Sequence, residues 1–377
     1  MNNGSDVPAE RRDVQEAFWT GVDQVVQRMV TDVLEQTLKL EQEARLGAAW
    51  NQRSTGRRGY RNGHYVRRLS TPHGPLRVCV PRCRDGGIDC SMIFDRYQRR
   101  IADVDRILTH AYLLGASTRG TAELAEQIFG GRLSHQTVSR LTRWLDDHLI
   151  AYRRQPIAPW YPVVHLDGMH LNMRGQDRMV MLVMGVREDG VKQMLGFCLS
   201  TGEQCSDLLW DLRKRGLEGV EMFVSDDSGA IRSAVAEVYP EVPWQSCSLH
   251  KLMALRETIG PTEYRGAMVR QAARIFHCPS KTAAVDAAIA WATHWKQTDP
   301  WAVRHFMDGL SDSLTFYCLP KTWWRRTRTN NTLERTIRTL RIRLRPMGCF
   351  YNEPAIERAV LGQLARWHLI PKLTHNT

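Results

Sequence analysis

Between residues 162 and 203 three apolar runs, PVVHLDGMHLNM, RMVMLVMGVRED and VKQMLGFCLSTGE, follow one another with only short turns at Gly175 and Gly190 between them. Runs this short and this apolar are strands, and such tight connections make them antiparallel neighbours in a meander. The pattern then alternates: a helix in CSDLLWDLRKRG, an apolar run VEMFV opening into SDDSGA, a helix in IRSAVAEVY, and a short run around VPWQSC. Few architectures accept that order.

Three strands, helix, strand, helix, strand is the element order of a ribonuclease H-like α/β fold. At 377 residues the chain is long enough for two or three domains. Three prolines in QPIAPWYP place a boundary near 155–162. The expected organisation is an N-terminal helical module (1–50), a basic DNA-binding segment with short strands (51–102), a helix-turn-helix-like segment (103–158), and a catalytic core (159–249 and 325–370). An α-helical insertion (250–324), rich in Ala, Trp and His and without strand alternation, interrupts that core.

Lysine and arginine outnumber the acids by 52 to 40, a net charge of +12. Arginine dominates the local clusters, and its fork matches phosphate oxygens, so nucleic acid leads an anionic membrane surface as the partner. No apolar stretch is long enough to span a membrane, the first residues lack a signal-peptide core, and nine scattered cysteines suit reduced thiols. A cytoplasmic, nucleoid-associated protein is expected.

Phe18, Val22, Val25, Met29, Val33, Leu34, Leu38 and Leu40 recur at helical spacing over 14–48, giving one or two amphipathic helices. Residues 51–68 carry six arginines and no acid, and read as a loop along a phosphate backbone; Arg57, Arg58, Arg61, Arg67 and Arg68 are its candidate contacts. LRVCVPRCRDG reads as a short strand ended by Pro81. In 103–150 a helix, a GGRLS turn and a second helix capped by Ser134, with the stripe Val138, Leu141, Leu145 and Leu149, suit a helix-turn-helix. Gln136, Arg140 and Arg143 then face DNA; a plain helical hairpin is the bland alternative.

Phosphodiester chemistry with divalent ions needs a few hard oxygen ligands converging from rigid elements. Asp167 interrupts VVHLDGMHL, where a carboxylate is costly unless paired or metal-bound. Asp226 ends the VEMFV strand, where α/β sheets place ligands, and Asp227 or Ser228 is better sited to cap the following helix. Glu334 lies in TNNTLERTIRTLRIRLR, where Asn330 or Asn331 can cap and Leu333, Ile337, Leu340 and Leu344 form the inward stripe. Arg338, Arg341 and Arg345 share the face of Glu334, ready to track phosphates. Cys247 and His250 form a C-x-x-H that suits a local structural or DNA-facing role; zinc would require a second pair, for which only His277 and Cys278 offer themselves.

Taken together, RNGHYVRRLSTPHGPLRVCVPRCRDG followed by RYQRR, then LDG, SDDSGA, CSLH and TNNTLER, resemble in order the motifs of the Mutator-like transposases of bacterial insertion sequences, the insertion sequence 256 family. The resemblance implies an Asp-Asp-Glu triad of Asp167, Asp226 and Glu334 in a ribonuclease H-like core, with Arg335 beside the glutamate. It also implies Mg²⁺, with Mn²⁺ able to substitute, and DNA carrying terminal inverted repeats as substrate. Where the family often has a threonine pair and an asparagine, this chain reads Thr329, Asn330, Asn331. Joining two DNA ends calls for a dimer on DNA. A metal-dependent nuclease or resolvase, and an inert DNA-binding regulator, are the competing expectations.

Overall fold

The computed structural model describes residues 9–84, 92–95, 97–131, 133–157, 160–200, 205–260 and 262–370. Residues 85–91 of the basic segment and 201–204 at the end of the third apolar run therefore lie outside it. The chain divides into two units at Thr142/Arg143.

The first unit opens with one continuous helix, α1 (Ala9–Leu46), followed by strands β1 (Arg61–Thr71) and β2 (Gly74–Cys83). These strands pair antiparallel across a two-residue turn, Thr71 facing Gly74. The hairpin corrects two expectations: 61–71 is a strand rather than loop, and β2 runs through Pro81. The alternation was masked because Arg67 occupies an inward position, its guanidinium over the Phe94 ring at 5.3 Å, so an arginine stem does the work of an apolar side chain. Pro81 is tolerated because both strands of a two-stranded sheet are edges. Leu38 of α1 packs against Leu69, Leu76, Val78 and Phe94. Two polar ties add direction: Glu35 Oε1 accepts from Cys79 N at 2.8 Å, and Gln42 Nε2 donates to Arg82 O at 2.8 Å.

Three short helices complete this unit, α2 (Ala102–Leu113), α3 (Thr118–Phe129) and α4 (His135–Leu141), around Val104, Leu108, Ala125 and Phe129. Gly130 ends α3 in the left-handed region, φ 61°, where glycine alone is unstrained. Ser134 caps α4 by accepting from Thr137 N at 3.2 Å. The expected long second helix is broken: Thr142 Oγ1 donates to Ser139 O at 2.9 Å, ending α4.

Helix α5 (Trp144–Arg154) therefore begins the second unit. That corrects the boundary read near 155–162, because the contacts of α5 are made further along the chain. Arg358 donates to both oxygens of Asp146 at 2.9 and 3.0 Å, and Tyr152 Oη donates to Met194 O at 2.8 Å. Strands β3 (Val163–Met173), β4 (Gln176–Val186) and β5 (Lys192–Ser200) precede α6 (Cys205–Lys214), β6 (Met222–Ser225), α7 (Gly229–Val238) and β7 (Trp244–Ser246). The sheet order is β5-β4-β3-β6-β7, antiparallel among β3 to β5 and parallel from β3 through β6 to β7.

Both faces of this mixed sheet are covered, which is why its strands read as unbroken apolar runs rather than alternating ones. Val164, Leu166 and Phe223 pack on α6 and α7 through Leu209, Leu212 and Val235. Val163, Met222 and Val224 face a helical block. That block comprises α8 (Ser248–Thr258), α9 (Thr262–Ile275), α10 (Lys281–Trp295) and α11 (Pro300–Met307), and its core includes Leu255, Trp291 and Phe306. Short helices α12 (Leu310–Ser313) and α13 (Trp324–Thr327) lead into α14 (Asn331–Leu344) and α15 (Glu353–Arg366). Leu333, Ile337, Leu340 and Leu344 are buried on α14 as its spacing requires.

Candidate active site

Parallel pairing of β3 and β6 aligns Val163 with Met222 and His165 with Val224. Asp167 and Asp226 each stand two residues beyond that last pair, so the period-two alternation puts both carboxylates on one face at neighbouring strand positions. Asp167 is 9% exposed, and its Oδ1 accepts from Gly168 N at 2.8 Å. Asp226 Oδ1 is buried without a hydrogen-bond partner. Asp227, by contrast, is more than half exposed and lies 3.9 Å from Lys251 Nζ. Ser228 stands at the N-cap of α7, and its side chain makes no capping bond.

Glu334 arrives in the first turn of α14, and the structure brings Cys247 and His250 to it. Glu334 Oε1 lies 3.8 Å from Cys247 Sγ and 3.6 Å from His250 Nδ1. One ligand atom from each of the three falls within 4.8 Å of the others. His277 and Cys278 are not in this cluster; His277 instead sits 3.2 Å from Arg328 Nη1. A structural zinc site wants four ligands, and among the described residues only three are gathered.

The electrostatics are those of a gathering of acids with a histidine as the cation acting on them. Burial, then the Asp226 carboxylate beside it, pushes Asp167 up to about 6. Asp226 is also raised, again chiefly by burial. His250 is pushed up to about 9 by its hydrogen bond to Cys247, with Glu334 and Asp167 adding to the shift. Among the described residues no lysine or arginine pairs with Asp167 or Asp226.

Asn330 is the residue sequence reasoning misread. It occupies the cap position of α14 but makes no side-chain capping bond. Fully buried, its Oδ1 accepts from His165 Nδ1 at 2.9 Å, and its Nδ2 donates to Leu166 O at 2.9 Å. Its own N–H donates to Cys247 Sγ at 3.2 Å, and Cys247 N donates to Ser225 O at 2.7 Å, next to Asp226. Asn330 thus ties together the elements bearing all three acids. His165 is the signal that pointed to it: a second polar side chain, two residues before Asp167 and so on the same strand face, within an apolar run. Burial holds its imidazole down to about 4, hence neutral.

The arginines divide by place. Arg335, Arg338 and Arg341 of α14, and Arg345 just beyond its end, are all exposed. In the first unit a groove of about 1730 Å³ gathers Arg67, Arg68 and Arg140 with three arginines the sequence reading had not singled out, Arg82, Arg99 and Arg100. Arg57, Arg58, Arg61, Gln136 and Arg143 do not line it. Arg61 is engaged internally, donating to Ala48 O at 2.9 Å and stacking over Trp50 at 5.2 Å. Arg143 stands at the start of α5 in the second unit. No helix among the described residues is long and apolar enough to cross a membrane.

Residues 6–368 match the family model described as Transposase, Mutator family. The transposase for insertion sequence element ISRM5 of Rhizobium meliloti (strain 1021) is 28% identical over 91% of this chain and 87% of its own length. That for element IS406 of Burkholderia multivorans is 30% identical over 88% of each chain. The transposase for IS256 in transposon Tn4001 of Staphylococcus aureus is 29% identical over 63% of each. A cryo-electron microscopy structure of a simian T-cell lymphotropic virus intasome in complex with PP2A regulatory subunit B56 gamma covers 51% of this chain and 67% of its own at 9% identity. Its TM-score of 0.18 is too low to bear on the fold. With the family model matching almost the whole length, the chain belongs to the Mutator family of transposases.

Proposed function

We propose that this protein is a DNA transposase that binds the terminal inverted repeats of an insertion sequence and carries out Mg²⁺-dependent strand cleavage and strand transfer with Asp167, Asp226 and Glu334 in a ribonuclease H-like core. The observation that supports the reading is the placement of Asp167 and Asp226 side by side just beyond paired strands, with Glu334 near enough to add to the raising of Asp167. A buried, unpartnered oxygen on Asp226 and two destabilised carboxylates fit a hard divalent cation, which would supply the missing positive charge.

Asp167, Asp226 and Glu334 would hold Mg²⁺, or Mn²⁺ in its place. When bound, such ions activate a water or DNA 3′-hydroxyl and stabilise the departing oxygen. The protein's own part is positional. Asp167 and Asp226 are fixed by adjacent strands, and Glu334 is held by Cys247, His250 and the Asn330 clamp. The exposed arginines of α14 hold the phosphodiester in line for attack. In the first unit the arginine groove receives the DNA backbone, which fixes register without reading sequence. Two ends joined in concert require two such sites, so the working species on DNA is a homodimer.

The test is incubation of the protein with its own flanking repeats and Mg²⁺, mapping products strand by strand. Joined 3′ ends that vanish with Asp167→Asn support the reading. Cleavage without joining would mark a nuclease or resolvase, and Mg²⁺-independent binding with no product would mark a regulator. Stoichiometric zinc in the purified protein would remove Glu334 from the magnesium set.

A further inference from the structure

Helix α1 carries two apolar faces, and the fold uses one. Leu38, with Val30 and Leu34, packs onto the hairpin. On the other side Val14, Phe18, Val25, Met29, Val33 and Leu40 are 54–69% exposed. At 3.6 residues per turn these six fall within an arc of about 100°, over a length of about 39 Å, turned well away from the packed face. A helix needs one stripe to dock on its own domain; a second, running this length and interrupted at Gln15, Asp32 and Gln36, is a surface for a partner.

Charge decides which partner. Within Ala9–Leu46 there are eight acids against five bases, in a chain that is otherwise strongly basic. An acidic helix repels both phosphate backbones and anionic bilayers, so the stripe suits protein. The spacing is also self-complementary. An antiparallel pairing about residue 27 sets Val14 against Leu40 and Val25 against Met29, and brings Arg11 toward Glu43. A parallel pairing would instead stack Arg28 on Arg28 and Asp32 on Asp32 along the edge of the stripe, at an electrostatic cost.

We infer that the outward stripe of α1 is the interface at which a second copy of this chain docks, as an antiparallel helix pair. The inference deepens the proposed dimer by naming its surface. Because the pair forms without DNA, it is measured separately from strand transfer, and either can fail while the other stands.

Sedimentation equilibrium of the full chain without DNA is expected to show a dimer. Val25→Asp with Met29→Asp, both exposed and outside the core, weakens it roughly 100-fold or more with an unchanged circular dichroism spectrum. A wild-type monomer at the highest soluble concentration, or a dimer untouched by the double variant, overturns the inference. The second measurement is cross-linking, since α1 contains no cysteine. Val14→Cys mixed with Leu40→Cys is expected to yield a mixed disulfide, whereas Val14→Cys joined efficiently to itself overturns the antiparallel pairing. Binding to phosphatidylglycerol-containing vesicles that the double variant abolishes, without self-association, would also overturn it.

Discussion

The two units handle charge in opposite ways. In the first, six arginines crowd an open groove, Arg68, Arg82, Arg99 and Arg140 of them exposed to solvent. In the second, Asp167 and Asp226 stand side by side in a partly buried place, and burial holds both carboxyls above their ordinary range. Redundant surface charge gives graded, salt-dependent attraction. Buried, converging charge gives all-or-none chemistry, because removing one member leaves an incomplete site and an uncompensated neighbour.

Breaking the second unit should produce the largest effect. Asp226→Ala or Glu334→Ala is expected to lower strand transfer by about 10³-fold or more, the several kcal/mol a bound ion supplies to charge stabilisation. Affinity for repeat DNA should stay nearly unchanged in a filter-binding or anisotropy assay. A parallel loss of binding would show that the units do not divide the labour this way.

Asn330→Ala sharpens the comparison from inside the site. Removing a clamp on ligand-bearing elements is expected to cost about 10–100-fold in activity or in Mn²⁺ affinity, the latter read by electron paramagnetic resonance. Asn330→Asp, which keeps the acceptor for His165 but loses the donor to Leu166 O, should fall between it and wild type.

Metal-free stability tests the buried charge directly. Asp167 is raised above its ordinary value in the fold, so the folded state binds the extra proton. Its stabilising contribution is complete below about pH 4 and is lost as pH rises through about 6. At neutral pH the ionised Asp167 then costs the metal-free protein at most about 3 kcal/mol. Asp167→Asn should raise the neutral Tm without metal and shrink the stabilisation gained on adding Mg²⁺, both measured by calorimetry.

The smallest effects belong to the groove. Single alanine substitutions at Arg67, Arg82 or Arg140 should each weaken DNA binding a few-fold and lower the salt slope by about one. A single one of them that abolishes binding would show the first unit to be as intolerant as the second.

Some of this was readable along the chain. The strands covered on both faces announced themselves as apolar runs, the α14 stripe as Leu333, Ile337, Leu340 and Leu344, and the α4 cap as Ser134. The β1 strand was not, because Arg67 stands where the pattern calls for an apolar residue. Nor was the end of α4, which turns on a local bond from Thr142. Asn330 looked like a cap because its neighbours in sequence permit one, while its partners, His165 and Leu166, lie far back along the chain.

Composition and periodicity therefore determined the elements, the basic character and the identity of the acids worth watching, since these follow from neighbours within a few residues. The tertiary structure decided that Asp226 rather than Asp227 turns inward, that Cys247 and His250 meet Glu334, and that Arg61 is engaged internally while Arg82 and Arg99 line the groove. Side-chain partners are set by parallel strand register and by helices returning from distant sequence, and neither leaves a local trace.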